Sequence, residues 1–145
     1  MANVSKLLHV SGDAPSFLKN LNLADEDRAD LMEAREKIRQ CLRGVFATVT
    51  KAELGVTVQP KFFMQGSYAY RTINNPAWTP PQQMDLDDGA YLPMTFVQGE
   101  QKPSVAAASF FMVVDAALEK LAKKEGWKFA TKPTCARLVI SSSRR

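Results

Sequence analysis

Two long stretches with apolar residues at helical spacing are separated by mostly extended, punctuated chain, and this order constrains the fold most. From about Asp25 to Thr50, Leu31, Ala34, Ile38, Leu42, Val45 and Val49 recur every three or four residues. Glu33, Arg35, Glu36, Lys37 and Arg39 fill much of the other face. That spacing predicts a long amphipathic helix, capped by Asn22 or Asp25 and weakened after Gly44. A second helix is predicted from Pro103-Ser104 through about Lys124. Val105, Ala108, Phe111, Met112, Asp115, Leu118, Leu121 and Ala122 share its apolar spacing. Lys120, Lys123 and Lys124 suit the negative end of its dipole, and Gly126 ends it.

Between and after these helices the pattern is extended and punctuated. Val56, Val58, Lys61, Phe62, Phe63 and Met64 lead into Gln65-Gly66-Ser67. Tyr68 to Ile73 is expected to form a short helix, closed by Asn74-Asn75-Pro76. A polar link through Trp78, Pro80 and Pro81 follows. Met84 to Tyr91 reads as a strand with Gly89 as a bulge, and Trp127–Ala130 and Cys135–Ile140 read as two more. Residues 1–20, with Ser11, Gly12, Asp13 and Pro15, read as a loosely organised lead-in to a core over 21–145. The expected class is α/β (α+β), a mixed sheet flanked by two long helices.

Composition excludes several functions. A length of 145 residues is enough for one compact domain with a real core. The formal charge of +4 suits an acidic partner without choosing one. Lys120, Lys123, Lys124, Lys128 and Lys132 could touch nucleic acid, yet such a group is more often a solvated helix end and strand edge. Nucleic acid is therefore not an expected partner. The longest apolar run, Val105 to Val114, is too short to span a bilayer, and no signal-peptide stretch opens the chain. The default is a cytoplasmic protein with no membrane partner. Cys41 and Cys135 do not make a disulfide framework or a zinc site. His9, the one histidine, leaves serine or cysteine catalysis without a base outside the N-terminal tail. No Gly-Lys-Ser/Thr loop occurs. An EF-hand register from Asp85 fails, with Gly89, Ala90 and Phe96 at ligand and turn positions.

What remains is a carboxylate pair and a glycine-serine turn. On a strand of period two, Asp85 and Asp87 share one face and Asp88 points the other way. Two such carboxylates repel each other unless a cation lies between them, and hard oxygen donors suit Mg²⁺. At a strand-to-helix turn, Gly66 lets the backbone approach a phosphate and the Ser67 hydroxyl adds a donor. Together these features point to nucleotidyl transfer.

The run Phe63-Met64-Gln65-Gly66-Ser67-Tyr68-Ala69-Tyr70-Arg71-Thr72, then Met84-Asp85-Leu86-Asp87-Asp88-Gly89-Ala90-Tyr91-Leu92-Pro93, resembles the bacterial cGAS/DncV-like nucleotidyltransferases. Within that group it is most similar to the DncV-like cyclic GMP-AMP synthases of CBASS anti-phage systems. The segment Lys132 to Leu138 resembles a family strand leading toward a third catalytic carboxylate. The resemblance, over roughly residues 25–140, implies a polymerase-β-like core that joins ATP and GTP, or related nucleotides, into a cyclic oligonucleotide. It implies that Asp85 and Asp87 hold two Mg²⁺ ions, with Mn²⁺ as a substitute. It also implies nucleotide contacts from Gln65, Gly66, Ser67 and Tyr68, a base-facing Arg137, and regulatory partner proteins. The family's third aspartate and C-terminal helical half have no counterpart before Arg145, so the chain is expected to be a fragment with weak turnover of its own. The alternatives are a non-catalytic nucleotide-binding or interaction module and a small stand-alone nucleotidyltransferase.

Overall fold

In the computed structural model, residues 22–74, 83–93 and 103–140 are described. The lead-in, His9, the Trp78-Pro80-Pro81 link and Ser141 to Arg145 lie outside them. Helix α1 spans Asp25–Leu54 and strand β1 spans Lys61–Gln65. The single-turn helix α2 spans Gly66–Ala69 and strand β2 spans Asp87–Tyr91. Helix α3 covers Pro103–Glu125, then β3 Lys128–Lys132 and β4 Cys135–Val139. The α+β class and both long helices stand. Among the described residues, the strands form two two-stranded sheets, β1-β2 and β3-β4.

Several boundaries move. Helix α1 continues past Gly44 to Leu54, because tertiary packing outweighs the modest cost of one mid-helix glycine. Its first turn is acidic, with Asp25, Glu26 and Asp27 at the positive end of the dipole. Asp25 is thus inside the helix, and Asn22 instead bridges to Asn74. The short helix begins at Gly66 and ends at Ala69, ahead of the predicted Tyr68–Ile73. The second strand begins at Asp87 rather than Met84.

The described residues fall into two compact units, one containing 22–31, 64–74 and 83–88 and the other 32–63, 89–93 and 103–140. In the first, Leu23 and Ile73 are buried. In the second, Leu42 and Phe46 of α1 pack with Val114, Ala117, Leu118 and Leu121 of α3. Phe46 is 1% exposed and stacks on Phe110 with centroids 5.2 Å apart. The buried stripe on α3 is rotated from the predicted one: Val114 and Ala117 face inward, whereas Met112 is 70% exposed. The side chain of Val105 lies outside the described ones.

Thr50 is fully buried on the same stripe of α1 as Phe46. Its hydroxyl donates to the Phe46 carbonyl at 2.7 Å and accepts the Val58 N–H at 2.8 Å. That pair of bonds fixes the chain returning from α1 toward β1 and leaves no polar group stranded there. Helix α3 stops at Gly126, whose φ of 72° lets the Trp127 N–H reach back to the Ala122 carbonyl at 2.8 Å. Strands β3 and β4 then pair antiparallel around Pro133-Thr134, from Lys128↔Val139 to Lys132↔Cys135. Phe129, Ala136 and Leu138 lean against the core. Lys128, Lys132, Cys135 and Arg137 are exposed.

Lys37 joins the two long helices at the surface, 2.9 Å from Glu125 and 3.1 Å from Glu33. The hydrogen bond from Lys37 holds the Glu125 carboxyl below the usual glutamate range. The same bond, with help from Glu33, holds the Lys37 ammonium above the usual lysine range. The carboxylate contribution is complete above the ordinary glutamate range and is lost as pH falls through the lowered value. The ammonium contribution is complete below the ordinary lysine range and is lost as pH rises through the raised value. Glu125→Gln should therefore melt slightly below wild type at neutral pH, with the gap closing in acid. A pH series of thermal melts checks this, and a gap that persists at low pH contradicts it.

Candidate active site

Most of the predicted residues fall in one compact unit: Gln65, Gly66, Ser67 and Tyr68 at the turn between β1 and α2, and Asp85 and Asp87 just before and at the start of β2. Gln65 is exposed, ends β1 and occupies the position before α2, with no side-chain cap bond to the helix. Gly66 follows with φ 62°, a backbone state that L side chains adopt at a cost. The Ser67 carbonyl accepts the Thr72 N–H at 2.8 Å and the Thr72 hydroxyl at 3.3 Å. Its own hydroxyl makes no hydrogen bond among the described residues. Tyr68 is half-buried beneath the Arg28 guanidinium, 5.7 Å from the ring centroid.

Asp85 precedes β2 but keeps its alternation. Gln83, Asp85 and Asp87 are exposed, while Met84, Leu86 and Asp88 are half-buried. Asp85 and Asp87 thus share the solvent side and Asp88 the opposite one, as the period of two requires. Asp87 also meets Gly66. A Cβ built on Gly66 would overlap the Asp87 carboxylate oxygen Oδ2 and lie 3.0 Å from its Cγ. Neither Asp85 nor Asp87 makes an ion pair or hydrogen bond among the described residues. Two unneutralised carboxylates on one open side are hard donors that fit a divalent cation such as Mg²⁺. No group of three or more potential metal ligands occurs among the described residues.

Arg137 lies on β4 in the other compact unit, exposed and directly opposite Ala130. One residue beside the turn went unread in the sequence. Arg71 has φ 58°, and its N–H bonds to the Tyr68 carbonyl at 3.2 Å. With Thr72 reaching Ser67, this closes α2 in the manner usually given to a glycine. Arginine carries no sequence signal for that conformation. The thiol of Cys41 is pushed up by burial and lies 3.7 Å from the Ala117 carbonyl, which sets it apart from nucleophilic chemistry.

The fold is that of a nucleotidyltransferase domain. Over 85% of its length the chain superposes on Vibrio cholerae DncV in its apo form, with a TM-score of 0.68 and 28% identity, covering 45% of that chain. A DncV structure in complex with ATP and GTP gives a TM-score of 0.69 at 28% identity, covering 85% of this chain and 43% of the other. A cyclic GMP-AMP synthase of Escherichia coli is 38% identical over 119 residues, which is 81% of this chain and 25% of that protein. A family profile described as "Cyclic GMP-AMP synthase DncV-like, nucleotidyltransferase domain" matches residues 60–144. The chain belongs to this DncV-like nucleotidyltransferase family. It spans about a quarter of the length of that curated relative and under half of the solved DncV chains.

Proposed function

We propose that this chain is the nucleotide-handling core of a cyclic GMP-AMP synthase that joins ATP and GTP in anti-phage signalling, with residues 21–145 acting as one core. The observation that carries the reading is the shared solvent side of Asp85 and Asp87, with Asp87 against the Gly66-Ser67 turn. In the reaction the acceptor 3′-hydroxyl oxygen bonds to the donor α-phosphorus, pyrophosphate leaves, and a second transfer closes the ring. Asp85 and Asp87 would hold Mg²⁺, which supplies charge neutralisation at the triphosphate and assists loss of the hydroxyl proton. The Ser67 hydroxyl and Gln65 bind donor phosphates, Gly66 and Tyr68 shape that pocket, and Arg137 faces a base. Regulatory partner proteins and a cytoplasmic location belong to the same reading. No described helix is long and apolar enough to cross a membrane.

The test is incubation of the full-length protein with labelled ATP and GTP and Mg²⁺ or Mn²⁺. The expected result is pyrophosphate release with a product resistant to alkaline phosphatase. Absence of both sinks the proposal. The isolated 145 residues, which span about a quarter of the curated relative's length, should turn over slowly.

A further inference from the structure

Three glycines of the described chain have positive φ, and only one of them is crowded. Gly55 at 68° and Gly126 at 72° have nothing within 4 Å of where a Cβ would stand. Their requirement is conformational alone. Gly66 at 62° has the same backbone requirement, and the Asp87 side chain fills its Cβ space, with Cγ 3.0 Å and Cβ 3.3 Å away. Real Cβ atoms are almost never found so near other heavy atoms, so an added methyl must displace the carboxylate or the turn. Asp87 is exposed and has no bonded partner among the described residues to hold it. The carboxylate lies in the space beside Gly66 that a side chain there would occupy.

We propose that Gly66 is a positioning residue for Asp87: its missing side chain is the seat that keeps this carboxylate on the side it shares with Asp85. This rests on the reading of Asp85 and Asp87 as the metal-holding pair. The contact explains why a β1–α2 turn that could accept Asn or Asp at positive φ carries glycine instead. A methyl at Gly66 rotates Asp87 away from Asp85 and weakens divalent-ion binding, before any nucleotide is present.

The experiment measures Mn²⁺ binding to the nucleotide-free full-length protein by titration, with thermal melts alongside. Gly66→Ala is expected to weaken Mn²⁺ binding about tenfold or more, a size typical when support of a ligating side chain is lost. Gly55→Ala and Gly126→Ala impose the same backbone strain without the overlap, and should bind Mn²⁺ as wild type does. Gly66→Ala binding as tightly as wild type overturns the inference. Asp87→Asn separates the two ideas. If it leaves Mn²⁺ binding intact, the metal reading fails. If it weakens binding while Gly66→Ala does not, only the positioning role fails. A second readout covers a poorly folding variant: Gly66→Ala should lower the melting temperature less in an Asp87→Ala background, where Oδ2 and Cγ are gone. Equal losses in both backgrounds overturn the contact.

Discussion

Asp87→Asn in the full-length protein is expected to reduce nucleotidyl transfer by roughly a thousandfold or more while leaving the melting temperature almost unchanged. Asparagine keeps the shape of the side chain and removes its charge. The carboxylate is exposed and unbonded among the described residues, so stability has little to lose there. Catalysis loses the anion that would hold a cation at the triphosphate, an effect worth several kcal/mol of transition-state stabilisation, or roughly three powers of ten in rate. Asp85→Asn should behave alike. Asp88→Asn should leave most of the activity, since Asp88 faces the half-buried side. Pyrophosphate release, product analysis and melting curves on the three variants decide the matter. Full activity in Asp87→Asn, or a collapse of its fold, contradicts the assignment.

Phe46→Ala should produce the largest loss of stability. Phe46 is 1% exposed at the centre of the packing between α1 and α3, and it stacks on Phe110. Removing a buried phenyl ring costs about 3–5 kcal/mol, which combines lost transfer energy with the cavity left behind. For a domain of this size that is a fall of roughly 10 °C or more in melting temperature. Met112→Ala, on the same partner helix but 70% exposed, should change stability by less than about 0.5 kcal/mol. Thermal or urea unfolding compares the two directly. Equal losses would mean that the helix packing is centred elsewhere.

The sequence disclosed the elements better than their centres. Helical spacing announced α1 and α3, because an amphipathic face must repeat every three or four residues whatever it packs against. It did not announce that Phe46 and Thr50 stand at the middle of the buried stripe. Thr50 is polar, and its burial makes sense only once the Val58 N–H arrives from the returning chain. On α3 the apolar residues run around more than half of the helix, so spacing alone could not choose between Met112 and Val114. At the candidate site, the shared side of Asp85 and Asp87 followed from the period of two, which persists upstream of β2. The contact of Gly66 with Asp87 joins residues far apart in sequence, so the glycine announced a turn but not the carboxylate that fills its Cβ space. Arg71 was hidden because arginine announces no positive φ.

The β3-β4 hairpin has a counting rule built into it. Opposed residues share a side, so Lys128, Lys132, Cys135 and Arg137 are wet together while Phe129, Ala136 and Leu138 are turned to the core. Inserting or deleting a single residue at the start of β4 would exchange the sides of the β4 residues that follow while β3 keeps its own, burying a guanidinium and wetting a leucine. Two residues added or removed together would restore the sides. Relatives of this chain can therefore vary the length of this strand in even steps, and an odd step has to be absorbed by a bulge or by the Pro133-Thr134 turn.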